Sequence, residues 1–254
     1  MNRIDLNADL GESFGVYPLG DDTALMPLVT SANIACGFHA GDPSMMARTV
    51  ALAVSHGVAL GAHPGLPDLV GFGRREMAVS ASEVGDLVMY QIGALAAFAV
   101  RHGQRLQHVK PHGALYALAE RDSAVAEAIA QAVCDVDRGL ILVGQSGGQL
   151  AAIGQALGLR VAHEVFADRT YQSDGTLTPH SRPNAMLHDS VEIAARMMRL
   201  VRAGTVTVLD GTELTRTADT ICLHGDSPHA AAVAAAVRKS LEAAGVAIWR
   251  LDGK

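Results

Sequence analysis

Aromatic and lysine side chains are scarce in this sequence of 254 residues: it holds one Trp, four Tyr and five Phe, and its lysines are Lys110, Lys239 and Lys254. With 20 Lys plus Arg against 26 Asp plus Glu, a net charge of −6, it offers neither a basic stripe nor a stacking platform, which argues against nucleic acid as a partner. The three cysteines (Cys36, Cys134, Cys222) are odd in number, far apart and without CxxC spacing. They are expected as reduced, buried thiols and not as a disulfide or structural zinc framework. Long apolar runs are also missing. The most apolar stretch, around residues 92–100, is about half the length a bilayer crossing needs and is broken by Gly93, so no membrane span is expected. The first residues run straight into a strand-like pattern with no apolar signal core, which points to a cytoplasmic protein. No lysine follows a phosphate-loop glycine and G-x-G-x-x-G is absent, so neither an ATP loop nor a dinucleotide site is indicated.

What the chain does have is glycine at regular stops. Gly57, Gly103, Gly139, Gly158, Gly204 and Gly245 each stand just before or at the start of an apolar, β-branched run, where a left-handed residue ends a helix and a strand begins. Strands are expected at 3–9, 31–37, 58–63, 106–110, 139–143, 160–166, 219–224 and 246–250, with a short extra one at 205–209. Helices are expected at 43–56, 82–102, 122–134, 147–157, 189–203 and 228–244. Asp42-Pro43 supplies an N-cap with proline in the first turn, and Ser80-x-x-Glu83 matches a capping box. The alternation continues without a linker, so residues 1–254 are read as one α/β domain. In the first strand Ile4, Leu6 and Ala8 are apolar while Asp5, Asn7 and Asp9 are polar. A central strand of an open, doubly wound sheet would be apolar on both faces, so a barrel with a polar interior is favoured. The same parity groups Asn33 with His39, and His108 with Lys110.

Polar residues gather at the strand ends: Asp5-Leu-Asn7-Ala-Asp9-Leu-Gly-Glu12, Cys36-Gly-Phe-His39-Ala-Gly-Asp42, Gly61-Ala-His63-Pro, Lys110-Pro-His112-Gly, Glu164-Val-Phe-Ala-Asp168-Arg169 and Leu223-His224-Gly-Asp226. In a parallel barrel these ends open on one face and build one site. Asp42 and Asp226 each precede a helix and also suit an N-cap. Neutral imidazoles with carboxylates suit zinc, manganese or iron, and His39, His63 and His224 are the candidate ligands, although no HxxxH or HExxH pair is present. Without metal, the same groups serve as general acids and bases, with Lys110 and Arg169 holding an anion. Either way the chemistry is hydrolytic, on a small polar molecule. Gly144-Gln-Ser-Gly147-Gly148 opens a helix and is read as its cap, with no nucleophile elbow or anion site assigned.

In these segments the sequence resembles the LamB/YcsF family, the A subunits of bacterial ATP-dependent 5-oxoprolinase. DLNADLGESFG from Asp5, SANIACGFHAGDP from Ser31, GAHPG from Gly61, KPHGALY from Lys110, EVFADRTY from Glu164 and CLHGD from Cys222 carry the resemblance along nearly the whole chain. It implies a seven-stranded β/α barrel of the glycoside hydrolase/deacetylase type, similar to a TIM barrel. It also implies opening of 5-oxo-L-proline (pyroglutamate) to L-glutamate with hydrolysis of ATP, as Mg2+ complex, alongside partner subunits B and C; which subunit binds ATP is left open by the sequence, the lack of a nucleotide motif here pointing toward the partners. Homo-oligomers are compatible with it. On that basis Asp9, Glu12, Lys110, His112, Glu164, Asp168 and Arg169 are expected to be catalytic: Asp9 or Glu12 activating water, His112 protonating the leaving nitrogen, and Lys110 and Arg169 holding anions. Asp5, Asn7, Asn33, Asp42 and Asp226 are expected to bind substrate. One segment departs from the resemblance, with His180 where Arg and Asn184 where Gly is expected. The alternative from the residues is a metal-dependent deacetylase or amidohydrolase that needs no ATP.

Overall fold

In the computed structural model, residues 3–179, 182–226 and 229–251 are described. The strands are β1 (Arg3–Leu10), β2 (Ser31–Ala35), β3 (Ala59–His63), β4 (His108–Val109), β5 (Ile141–Gln145), β6 (Arg160–Phe166), β7 (Thr205–Thr207), β8 (Glu213–Thr215), β9 (Thr220–Leu223) and β10 (Ala247–Ile248). Between them lie α1 (Asp22–Leu25), a 3-10 turn (Met26–Leu28), α2 (Pro43–Ser55), α3 (Ala81–Arg101), α4 (Gly113–Ala119), α5 (Ser123–Val136), α6 (Gln149–Ala156), α7 (Ser190–Ala203) and α8 (Ala230–Ala243). The order β1-β2-β3-β4-β5-β6-β9 is parallel throughout, and pairing of β9 back onto β1 closes a seven-stranded barrel inside the ring of helices.

Closure at seven explains the fate of the eighth expected strand. Asp5 to Ala8 of β1 pair with β9, which leaves Arg3 and Ile4 to pair with Ala247 and Ile248 of β10. The expected strand at 205–209 is β7, which forms an antiparallel hairpin with β8 outside the barrel. Two short helices, α1 and α4, were not expected from the sequence; α4 follows the Lys110-Pro-His112 segment directly and buries Ala114, Leu115, Tyr116 and Ala119.

The helix starts follow the local chemistry. The Asp42 carboxylate accepts from the backbone N–H groups of Ser44 and Met45, and Ser80 with Glu83 completes both halves of a capping box. Gly204 ends α7 in the left-handed region at φ 70°. Among the described residues, α3 is long and apolar enough to cross a membrane by length and composition. Its Val84, Val88, Ile92, Leu95 and Ala99 are buried, and its Gln91 side chain hydrogen-bonds both the N–H and the carbonyl of Gly65, so it packs as a barrel helix.

Strand register fixes which residues fill the interior. Asp9, Asn33, Gly61, His108 and Ile141 stand at partnered positions around one side, and Glu164, Thr220 and Asp5 around the other. Parallel partners point the same way, so the polar parity of β1 is carried around the wall. Ile141, Val143 and Ala162, with Leu251 against them, form a small apolar cluster separate from the main core. Leu6, Ala8 and Leu10 face outward into that main core, under the helices.

Candidate active site

The interior residues stack in layers toward the carboxyl ends of the strands. At the bottom, the Asp5 carboxylate accepts from the hydroxyls of Ser31 (2.6 Å), Thr220 (2.5 Å) and Thr30 (2.8 Å). Burial outweighs these bonds and pushes its pKa up to about 6. Above it, the Asn33 amide donates to the side-chain oxygens of Asn7 (2.7 Å) and Asp9 (2.8 Å), and His108 Nε2 lies 2.7 Å from Asn33 Oδ1. Burial lowers the His108 pKa to about 3, so the ring is neutral. These contacts place Asp5, Asn7 and Asn33 in the framework beneath the mouth.

Lys110 is the centre of the next layer. Its ammonium lies 2.9 Å from Asp9 Oδ1, 2.9 Å from Glu164 Oε1 and 3.0 Å from Cys222 Sγ. Burial alone would lower its pKa, but Asp9, Cys222 and Glu164 raise it well above the ordinary lysine value. Burial likewise opposes ionisation of Asp9, yet His63 and Lys110 hold its carboxyl well below the usual range. The Tyr116 hydroxyl donates to Glu164 Oε2 at 3.1 Å. Tyr116 and Cys222 were missed as site residues, although Cys222 shares the strand parity of His224 and could have been found by it.

Glu12, His39, His63 and His112 form a second cluster, in which each side chain offers one ligand atom within 4.8 Å of the others. The rings of His39 and His112 stack at 3.7 Å, and His63 meets both edge-on. His63 Nδ1 lies 2.7 Å from the Lys110 carbonyl, and His112 Nε2 lies 2.8 Å from the Phe72 carbonyl. Burial, then the neighbouring Asp9 and Asp226, raises the Glu12 pKa well above the usual range. Burial and the adjacent histidines lower those of His39 and His112. Gly73, at φ 62°, leaves room for this cluster, because a Cβ there would meet His39 and His112.

His224 lies apart from His39 and His63. Its Nδ1 is 2.8 Å from Asp168 Oδ1, and this carboxylate outweighs burial to raise the imidazole pKa. Asp9, Cys222 and His224 also bring one polar atom each within 4.8 Å of one another. Asp168, His224 and Asp226 line a cavity of about 230 Å³ together with Met186, His188 and Val233. Asp226 pairs with Arg74 at 2.7 Å, a cation at the mouth that the sequence reading did not single out. Arg169 donates to the carbonyls of Thr178 (2.6 Å) and Ala185 (3.4 Å) and so ties down the following loop. Asp42 caps α2 and also accepts from the Gly15 N–H. In the departing segment, Asn184 takes the left-handed conformation at φ 63°, which asparagine tolerates, while His180 lies outside the described residues.

The segment from Gly144 to Gly148 also fits the G-x-S-x-G pattern, which the sequence reading did not assign. It does join β5 to α6, the context a nucleophile elbow needs. Among the described residues, however, no hydrogen bond links the Ser146 side chain to a histidine, and the N-terminus of α6 is taken by Glu120, which accepts from Gln149 N at 2.6 Å. A nucleophile without a base in reach is not activated.

The LamB/YcsF family model matches residues 4–254. A protein of Tolumonas auensis, named as the A subunit of 5-oxoprolinase, is 58% identical, covering 98% of this chain and 99% of its own length. The solved structure of a lactam utilization protein from Thermus thermophilus superposes with a TM-score of 0.92 at 52% identity, covering 97% of this chain and 98% of that one. A family 4 carbohydrate esterase from Streptomyces lividans, 13% identical with a TM-score of 0.53 over 98% of this chain and 92% of that one, shares the fold alone.

Proposed function

The chain belongs to the LamB/YcsF family, and on that premise we propose that it is the hydrolytic subunit of an ATP-dependent 5-oxoprolinase, opening 5-oxo-L-proline to L-glutamate. Relatives that match nearly end to end are named for the A subunit of 5-oxoprolinase and for lactam utilization, which supports the substrate class. The cavity of about 230 Å³ supports a metabolite smaller than a drug-sized ligand. A five-membered lactam re-closes readily because its amine and carboxyl ends stay at high effective concentration, so unassisted opening gains little. Transfer of the ATP γ-phosphoryl group to the lactam oxygen makes the ring carbon electrophilic. One water then adds to that carbon and the C–N bond breaks; a second water releases the phosphoryl group as phosphate, leaving L-glutamate and ADP.

The observation that carries this reading is the proximity, within 4.8 Å, of an ionised carboxylate, Asp9, and a carboxylate-held imidazole, His224. Asp9, kept charged by Lys110, takes the proton of the attacking water. His224, whose pKa Asp168 raises, protonates the leaving nitrogen. His112 is less suited to that step, since its ring nitrogens already face His63 and the Phe72 carbonyl. Glu164 and Tyr116 fix Lys110, and Lys110 fixes Asp9. ATP, with Mg2+, is assigned to partner subunits B and C, and the reaction to the cytoplasm.

Replacing Asp9 with Asn keeps the side chain's shape and removes the base. Glutamate formation from 5-oxoproline and ATP by the complete enzyme should fall at least about 100-fold, with the circular dichroism spectrum retained. Unchanged turnover would remove Asp9 from the reaction. Turnover without ATP would instead favour the amidohydrolase alternative.

A further inference from the structure

The cluster of Glu12, His39, His63 and His112 takes no part in the proton transfers above, and its hydrogen bonding is incomplete in a specific way. His63 Nδ1 and His112 Nε2 each face a backbone carbonyl, Lys110 O at 2.7 Å and Phe72 O at 2.8 Å. A carbonyl only accepts, so both nitrogens carry a ring hydrogen, and in the neutral imidazole the opposite nitrogens are the ones available as metal donors. Those two, His63 Nε2 and His112 Nδ1, stand only 3.1 Å apart, with Asp9 Oδ1 a further 3.5 Å from His63 Nε2. Beside them, both ring nitrogens of the fully buried His39 and Oε1 of Glu12 have no hydrogen-bond partner. Buried polar atoms gathered within 4.8 Å of one another without donors are costly, and a cation bound among them removes the cost.

We propose that Glu12, His39, His63 and His112 bind one divalent transition metal ion of the zinc type. Three imidazole nitrogens and one carboxylate oxygen form a donor set suited to zinc, iron(II), manganese or cobalt. With metal–nitrogen bonds of about 2.0–2.1 Å, two ligand nitrogens stand about 3.0–3.4 Å apart. The 3.1 Å between His63 and His112 falls within that span. The backbone carbonyls behind His63 and His112 are the outer partners that fix the tautomer of a metal-ligating histidine. Gly65 and Gly73 make the space, since a Cβ on either would run into His39. His224, committed to Asp168, is outside this set.

The test is metal content, not turnover, so its outcome is independent of the 5-oxoproline reading. The full chain is stripped with a chelator, titrated with Zn2+ or Co2+, and assayed by calorimetry and elemental analysis. One equivalent per chain is expected, with visible d–d absorption for Co2+, and His224→Ala should retain it. His39→Ala and Glu12→Gln should each weaken binding at least about 100-fold, the second with unchanged circular dichroism. Failure of the wild-type chain to hold one equivalent, or unchanged affinity in Glu12→Gln, would overturn the proposal.

Discussion

Asp5 is a carboxyl group held at the bottom of the barrel by three hydroxyls, with no ion pair to a cation among the described residues. Its pKa is about 6 in the folded chain against an ordinary 3.8, so the folded state binds its proton more tightly than the unfolded state does. The resulting stability is complete below pH 3.8 and is lost as the pH rises through about 6. A difference of about two in pKa between the folded and unfolded states corresponds to about 3 kcal/mol. Asp5→Asn, which cannot ionise, lacks this dependence. The unfolding free energy of the wild type relative to Asp5→Asn, from urea titrations, should therefore fall by up to about 3 kcal/mol between about pH 4 and about pH 7. A difference that stays flat over that interval would mean Asp5 is ionised throughout. Asp9, further along the same strand face, shows the opposite behaviour because the neighbouring His63 and Lys110 overcome its burial, and Asp5 has no such neighbours among the described residues.

At the level of elements, much was legible because strand parity is a local property. The polar positions of β1 name the interior face directly, and register carries that face to Asn33, His108 and Lys110. Asp42, Ser80 and Glu83 identify helix starts through chemistry contained within a single turn. What was not legible depends on loops reaching across the mouth. The carbonyl that orients His112 belongs to Phe72, 40 residues away in sequence, so nothing near His112 separates it from His224. The length of β10 and its place outside the barrel depend on how many strands close the ring, which no single strand encodes. Gly61 makes the point in one position: it reads as part of a strand, yet it is required because a Cβ there would overlap the His108 ring. That ring is buried and held by Asn33, so it cannot swing aside. Gly61→Ala should destabilise the fold by about 1–3 kcal/mol, seen as a lower urea midpoint with unchanged slope. A midpoint equal to wild type would show that the barrel interior is looser than this packing.

At the scale of the whole molecule, the cations around the mouth are already matched among the described residues. Lys110 lies between Asp9 and Glu164, Arg74 pairs with Asp226, Arg75 with Asp68, and Arg169 holds the Thr178 and Ala185 carbonyls. The α6 N-terminus, a natural anion site, accommodates the chain's own Glu120 carboxylate. A triphosphate needs several unpaired donors or backbone N–H groups at once, and the chain as a whole is acidic, with a net charge of −6. On the function proposed above, the nucleotide is therefore expected on a partner subunit, with this barrel receiving the activated lactam. Phosphate release from ATP should be at background for the purified chain, with or without 5-oxoproline, and should become 5-oxoproline-dependent when subunits B and C are added. A malachite-green assay of the chain alone and of the reconstituted mixture distinguishes the outcomes. Substrate-dependent release by the chain alone would place the nucleotide site in this barrel. Full activity of B and C without the chain would remove it from the reaction, and the matched charges at its mouth would then have no catalytic counterpart.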